Sequence, residues 1–131
     1  MATATPRRPS ALIGAFPTLR GNAAVLDLWR DVVRGMTDPV DAAFVRAFQV
    51  STLARPVPAS FLDQAVTESL KVPARIWREA LEDMLAHDQS ASLGRITAPT
   101  LIVWGDQDGF ASRQDQDRLA GAIAGARLRV H

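Results

Sequence analysis

Three short apolar runs lie far apart along the chain and predict β-strands. The first, residues 11–16, has no helical period and is closed by Pro17, which lacks a backbone donor. The second, residues 100–104, is apolar on both faces, as is typical of a parallel strand covered by helices on each side. The third, residues 127–130, alternates Arg with apolar residues, which predicts an edge strand with one wet face.

The segment between the first two strands is too long for a simple crossover. It runs from residue 17 to residue 99, whereas a crossover helix with its loops needs about 12 to 30 residues. Apolar positions at helical spacing predict four helices in this segment, so we expect a helical insert and not a linker. Their expected inward residues are Val25, Trp29, Val32 and Met36; Val40, Phe44, Ala47 and Phe48; Leu62, Ala65, Val66 and Leu70; and Ile76, Trp77, Ala80, Leu81, Met84 and Leu85.

Capping residues mark where the helices of the insert begin. Asn22 is expected to cap the first, and Asp38 followed by Pro39 is expected to open the second. Oppositely charged pairs at i,i+4 are expected on the exposed side of the fourth: Arg75 with Glu79, and Arg78 with Glu82.

The order of these elements predicts an α/β fold. Between the second and third strands, Ser112 with Asp115 three positions later opens one helix, and Gly125 closes it. Connections of this kind join parallel strands, so about three parallel strands with an inserted helical cap are expected. The expected division is a flexible tail (1–10), a core strand with its exit loop (11–20), the helical cap (21–92), and the last two strands with the loop and helix between them (93–131).

Composition excludes some classes of function but does not identify one. Apolar residues make up 47% of the 131 residues and charged residues 22%, an ordinary balance for a globular protein. The net charge of +1 provides no basic surface for nucleic acid or an anionic membrane. The absence of cysteine is compatible with a reducing compartment, and no apolar run approaches about 18 residues, so a cytoplasmic protein without a membrane span is expected.

One motif carries a resemblance to a known family. The sequence APTLIVWGDQD at residues 98–108 resembles the penultimate-strand signature of α/β hydrolases, whose second Asp is the acid of the catalytic triad. Residues 10–17 resemble the strand that follows the nucleophile's helix in that family, and the family places its cap at the position of the insert. The resemblance implies a partial α/β-hydrolase fold, the C-terminal portion, with Asp108 as the triad acid.

Asp108 also fits this role physically. Catalytic groups of open α/β sheets lie just past the carboxyl ends of strands, where an ionised carboxylate can hold a His in one tautomer. Asp106 is expected to hydrogen-bond the backbone of its own turn. In the alternative interpretation, both aspartates only form the turn.

The rest of a triad is not recognisable in the sequence. Neither Gly-x-Ser-x-Gly nor a His-Gly-Gly loop occurs, and the family places both before the strand at residues 11–16. His131 directly follows the last strand, whereas the family's catalytic His lies several residues beyond it. We therefore expect the nucleophile and the base to lie outside this chain, and the chain alone to be inactive.

Other candidate sites are weaker. Phe16 and Phe110 lie at carboxyl ends of strands and are the candidates for substrate-pocket walls. The Asp106-x-Asp108-Gly109 sequence lacks the remaining ligands of a calcium loop, so no metal is expected. His87 suits the end of a helix and has a structural interpretation.

The resemblance to α/β hydrolases implies a cofactor-free, serine-type hydrolase acting on a small, largely apolar ester or related compound. Its partners would be a small-molecule substrate and, through the open edge of the first strand, another copy of the chain. The alternative is a non-catalytic fragment of the same fold that binds a ligand or a partner.

Overall fold

The computed structural model describes residues 8–13 and 15–131, which divide between two compact units. The sheet unit contains the residues up to Leu19 and Asp88–His131, and the helical insert is Arg20–His87. Residues 88–92, expected in the insert, belong to the sheet unit, where Gln89 N–H donates to the carbonyl of Pro17 at 3.0 Å.

The sheet unit is built on three parallel strands in the order β1-β2-β3, as predicted. They are β1 (Ser10–Ile13), β2 (Thr100–Trp104) and β3 (Arg127–Val130). The second and third have the predicted bounds. The predicted flexible tail is wrong at Ser10, which pairs with Thr100, while residues 1–7 lie outside the described residues.

The first strand ends earlier than predicted. It stops at Ile13 instead of residue 16, and Gly14 lies outside the described residues. The carbonyl of Ala15 accepts a hydrogen bond from Gln116 Nε2 at 2.8 Å, so the chain beyond β1 is tied to a helix and not to the sheet.

The side chains on the two faces of the sheet differ in how far they are buried. Leu12, Ile102 and Leu128 occupy one face and pack in a cluster with Leu93, Leu119 and Ile123. The opposite face carries Ala11, Ile13, Leu101, Val103, Arg127 and Arg129, because side chains alternate along a strand. The side chain of Ile13 on this second face is 77% exposed.

Helix α5 (Arg113–Ala122) connects β2 to β3 and begins as predicted. Ser112 and Asp115 form a reciprocal capping box: Ser112 Oγ accepts from Asp115 N–H, and Asp115 Oδ2 accepts from Ser112 N–H. Gly125 has a φ of +72°, which only glycine adopts without strain, and it forms the turn into β3.

The helical insert has its own hydrophobic core. Its α-helices are α1 (Ala23–Asp31), α2 (Ala42–Ser51), α3 (Ala59–Leu70) and α4 (Ala74–Ala86), and a 3-10 helix spans Val33–Gly35. The buried residues of its core are Val33, Met36, Val40, Val45, Val66 and Ala74. Phe44, Phe48 and Trp77 form a ring cluster beside it, with centroids 5.6 to 6.1 Å apart.

One of the two expected helix starts differs in the structure. Asn22 caps α1 as predicted, accepting from Val25 N–H at 3.1 Å. Asp38 does not open α2, because its carboxylate accepts from Ala74 N–H at 2.8 Å, at the start of α4. Asp41 caps α2 instead, accepting from Ala43 N–H at 2.8 Å.

Several predicted packing positions of the insert are also wrong. Val32 is exposed and Val33 is buried in its place, since the chain passes there from α-helix to 3-10 helix. Arg75 pairs with Glu79 at 2.6 Å, but Arg78 donates to the carbonyl of Met36 and not to Glu82. Further expected inward residues that are exposed are Ala47, Leu70, Ile76, Ala80 and Met84.

No helix in the described part of the chain is long and apolar enough to cross a membrane.

Candidate active site

The candidate site is the loop at the carboxyl end of β2, residues 105–112, here called the acid loop. It leaves the sheet after Trp104 and leads into α5. Carboxyl ends of parallel strands are where open α/β sheets hold their catalytic groups.

Asp108 is half-buried and is fixed by the backbone of the acid loop. Its Oδ1 accepts hydrogen bonds from Phe110 N–H at 2.8 Å and from Ala111 N–H at 3.0 Å. Its own N–H donates to the carbonyl of Gly105 at 3.1 Å. Within residues 8–13 and 15–131, Oδ2 accepts no hydrogen bond, so one oxygen orients the carboxylate and the other remains available as an acceptor.

Asp106 does not have the turn-forming role expected of it. Its side chain is exposed and accepts only from Gln107 Nε2, at 3.2 Å, among the described residues. The carboxylate that bonds the backbone of the turn belongs to Asp108, because the two N–H groups that close the loop are two and three residues after it.

Trp104 closes the acid loop from the strand side. Its buried indole Nε1–H donates to the carbonyl of Ala111 at 2.7 Å, so the first and last parts of the loop are joined. The sequence pattern predicts Trp104 only as a strand residue. The missed signal is chemical: a buried Trp usually needs an acceptor for its N–H, and loop carbonyls at the strand end are within reach.

Gln116 of α5 joins the helix to the segment after β1. It is fully buried, and its Nε2 donates to the carbonyl of Ala15 at 2.8 Å. It lies on the inward stripe of α5 with Leu119 and Ile123, so a polar residue on an apolar stripe was the available signal for its role.

Comparison with solved structures identifies the fold. An esterase from Exiguobacterium antarcticum aligns at a TM-score of 0.78 and 20% identity, over 93% of this chain and 47% of the esterase. A bromoperoxidase from Bacillus anthracis aligns at 0.79 and 18%, over 94% and 49%. An enol-lactonase from Burkholderia xenovorans LB400 aligns at 0.66 and 20%, over 95% and 47%. No protein-family model and no curated protein matches the sequence significantly.

This chain has a partial α/β-hydrolase fold. It spans about half the length of the solved structures it matches. The predicted resemblance is therefore confirmed at the level of the fold.

In this α/β-hydrolase fold, backbone hydrogen bonds hold His131 beside the acid loop. Its N–H donates to the carbonyl of Trp104 and its carbonyl accepts from Asp106 N–H, both at 2.8 Å. The imidazole is exposed and has no hydrogen bond or ion pair to Asp108 in the described part of the chain. A base outside this chain thus stays a prediction.

The two candidate pocket residues both come after the carboxyl ends of parallel strands. Phe16 follows β1 by three residues and Phe110 follows Asp108 by two; both are half-buried. Their role as pocket walls stays a prediction. A small depression of about 120 Å³ between Ser10, Thr100 and Arg127 lies at the opposite, amino-terminal ends of the strands. Since catalytic groups in this fold follow the carboxyl ends, we do not assign the substrate to that depression.

No cluster of three or more His, Cys, Asp or Glu residues suited to a metal occurs among the residues that the structure describes.

Proposed function

We propose that this chain is the acid-bearing part of a serine-type α/β hydrolase that cleaves a small, largely apolar ester or related compound. Asp108 is the triad acid, and residues 20–87 are the cap. The nucleophile and the catalytic His come from polypeptide outside this chain. The observation that carries the proposal is the state of Asp108, with Oδ1 held by two backbone N–H groups and Oδ2 available.

In the proposed reaction, the role of Asp108 is to position the catalytic His. A serine would attack the substrate carbonyl, and a His would take the serine proton and pass it to the leaving group. Oδ2 of Asp108 would accept the Nδ1–H of that His, which selects the tautomer with a free Nε2 and stabilises the imidazolium. The fixed Oδ1 prevents the carboxylate from rotating away, so the His keeps its orientation.

Two of the similar solved structures support a hydrolase. One is an esterase and the other an enol-lactonase, and both names refer to cleavage of carboxylic ester bonds. Identities of 20% leave the substrate of this chain open, because one fold hosts many chemistries.

A non-catalytic fragment is the second candidate, and the same loop favours it. Two backbone hydrogen bonds to Oδ1 are also what a turn-forming aspartate makes. The two candidates differ in what Asp108 does once a nucleophile and a His are present.

The test is a reassembled enzyme. The chain is fused or co-expressed with the half of the Exiguobacterium antarcticum esterase that it does not match, and hydrolysis of p-nitrophenyl butyrate is measured. The proposal expects turnover that depends on Asp108. Turnover that is unchanged by Asp108→Asn would favour the non-catalytic fragment, and a folded complex without turnover would contradict the hydrolase proposal.

The isolated chain provides a separate prediction. Without a nucleophile it should not hydrolyse p-nitrophenyl acetate or butyrate above background, since losing the triad serine removes about 10⁶-fold in rate. The measurement is the rate of nitrophenolate release by the purified chain. Turnover that persists through purification and disappears when a Ser or Asp of this chain is replaced would refute the assignment of the nucleophile to other polypeptide.

A further inference from the structure

Gln116 is a buried amide whose hydrogen-bonding groups are only partly satisfied. Its side chain is fully buried in the first turn of α5, and its Nε2 donates to the carbonyl of Ala15 at 2.8 Å. Within the described ranges, residues 8–13 and 15–131, its Oε1 is buried and accepts no hydrogen bond. A buried acceptor without a donor lowers stability, and an apolar side chain of similar length would avoid that cost. Stability alone therefore does not account for a Gln at this position.

Gln116 holds the segment that carries Phe16. Ala15 precedes Phe16 and is tied to α5 by Gln116, while the carbonyl of Pro17, the next residue, accepts from Gln89 N–H at 3.0 Å. Phe16 thus lies between two residues whose carbonyls are both hydrogen-bonded within the sheet unit. Its side chain is half-buried and follows the carboxyl end of β1, where open α/β sheets bind their ligands. An aromatic ring on a fixed backbone suits the wall of an apolar pocket.

The same turn of α5 also ends the acid loop. Gln116 N–H donates to the carbonyl of Ser112, the last residue of that loop, at 3.2 Å. One helical turn therefore holds the acid loop through its backbone and the segment after β1 through the side chain of Gln116. Asp108 is fixed separately, by backbone N–H groups of its own loop. Loss of the Gln116 side chain would thus free Phe16 to move while Asp108 stays in place.

We propose that Gln116 is a positioning residue that acts through Phe16 and sets which acyl groups the enzyme accepts. This inference rests on the proposed hydrolase function, since it concerns the acyl part of an ester substrate. The ring of Phe16 packs against a short aliphatic acyl chain, and the hydrogen bond from Gln116 keeps that ring in place. Gln116 takes no part in making or breaking bonds, so its loss should change substrate binding more than turnover.

The experiment compares Gln116→Met with the wild type in the reassembled enzyme, using p-nitrophenyl acetate and p-nitrophenyl butyrate. Met keeps the length of the side chain and removes the donor to Ala15. Butyrate has two more methylene groups than acetate, and burial of each is worth about fourfold in binding. Partial loss of that packing should raise the KM for the butyrate ester by about five- to tenfold. The KM for the acetate ester and both kcat values should change by less than about twofold.

The matched control is Gln114→Met, the same substitution at an exposed position of the same helix. It should leave both KM values unchanged. Phe16→Ala should itself raise the KM for the butyrate ester, and Gln116→Met should add little to that effect, because a residue that acts through another has no independent effect. If circular dichroism shows that Gln116→Met does not fold, Gln116→Asn takes its place, since its shorter side chain cannot reach the Ala15 carbonyl.

The purified chain tests the tie itself, independently of catalysis. In Gln116→Met, the segment after β1 loses its attachment to α5, which should loosen Pro17 and the hydrogen bond that it accepts from Gln89 N–H. Amide exchange of Gln89 should therefore accelerate by about three- to tenfold. The amide of His131, which is bonded to β2, should exchange at the wild-type rate. Nuclear magnetic resonance resolves the two amides, and an unchanged rate at Gln89 would overturn the proposal.

The kinetic results can also overturn it. If kcat falls equally for both esters while KM is unchanged, Gln116→Met only lowers the fraction of folded enzyme. A rise in KM that adds fully to that of Phe16→Ala, or that Gln114→Met reproduces, would equally contradict a role through Phe16. All of these outcomes require wild-type turnover that depends on Asp108. If that turnover is absent, the hydrolase proposal itself is contradicted, and the inference about Gln116 fails with it.

Discussion

At the scale of single residues, some features of the acid loop could be predicted from a sequence motif and others could not. The motif at residues 98–108 predicted which strand end carries the candidate acid, and the structure places Asp108 there. The motif did not predict which aspartate bonds the turn, because Asp106 and Asp108 are the same residue type two positions apart. That choice depends on where the N–H groups of Phe110 and Ala111 lie, which the path into α5 determines.

Asp108 and Asp106 should differ sharply in a reassembled enzyme. Asp108→Asn keeps one acceptor oxygen and the shape of the side chain but loses the charge that orients the His, so kcat should fall by about 10⁴-fold. Asp106→Asn should have a far smaller effect, because Asp106 is exposed and makes only a local contact with Gln107. Steady-state kinetics on p-nitrophenyl butyrate provides the comparison. If Asp106→Asn is the more damaging substitution, the assignment within the loop is wrong.

At the scale of elements, strands and helices whose bounds depend on neighbouring residues were predicted well. β2 and β3 have the predicted bounds. Proline and glycine mark the two ends of β2, and the alternation of Arg with apolar residues marks β3. The end of β1 and the start of α2 were not predicted, since both depend on distant partners. Ala15 is held by Gln116, and Asp38 is held by Ala74, 36 residues along the chain.

The cap of α5 should contribute measurably to stability. Ser112→Ala removes the oxygen that accepts from Asp115 N–H and breaks the capping box, so the free energy of unfolding should fall by about 0.5–2 kcal/mol. The matched control is Ser60→Ala in the first turn of α3, where no side chain caps the helix. Urea denaturation followed by circular dichroism measures both. Equal effects of the two substitutions would show that the capping box of α5 contributes nothing beyond helix propensity.

At the scale of the whole molecule, the residues that the structure describes form two hydrophobic clusters, and each cluster lies within one compact unit. The cluster of the sheet unit includes Ile102, and the cluster of the insert includes Met36. The sequence predicted an insert because the segment between the first two strands is too long for one crossover. It did not predict that the insert has a core of its own, because apolar stripes on four helices do not reveal which other stripes they contact.

The separate clusters predict that damage to one core stays within its unit. Ile102→Ala and Met36→Ala each remove a buried side chain, from the sheet unit and from the insert respectively. A truncation of this kind costs about 2–5 kcal/mol, which speeds amide exchange through unfolding of the affected unit by about 30-fold or more. Ile102→Ala should therefore accelerate exchange in β1, β2, β3 and α5, and Met36→Ala should accelerate it in α1 to α4. Hydrogen exchange read by mass spectrometry of peptic fragments resolves the two sets. If either substitution accelerates exchange equally across residues 20–87 and 88–131, the two clusters unfold as one cooperative core and the division into independently stabilised units is wrong.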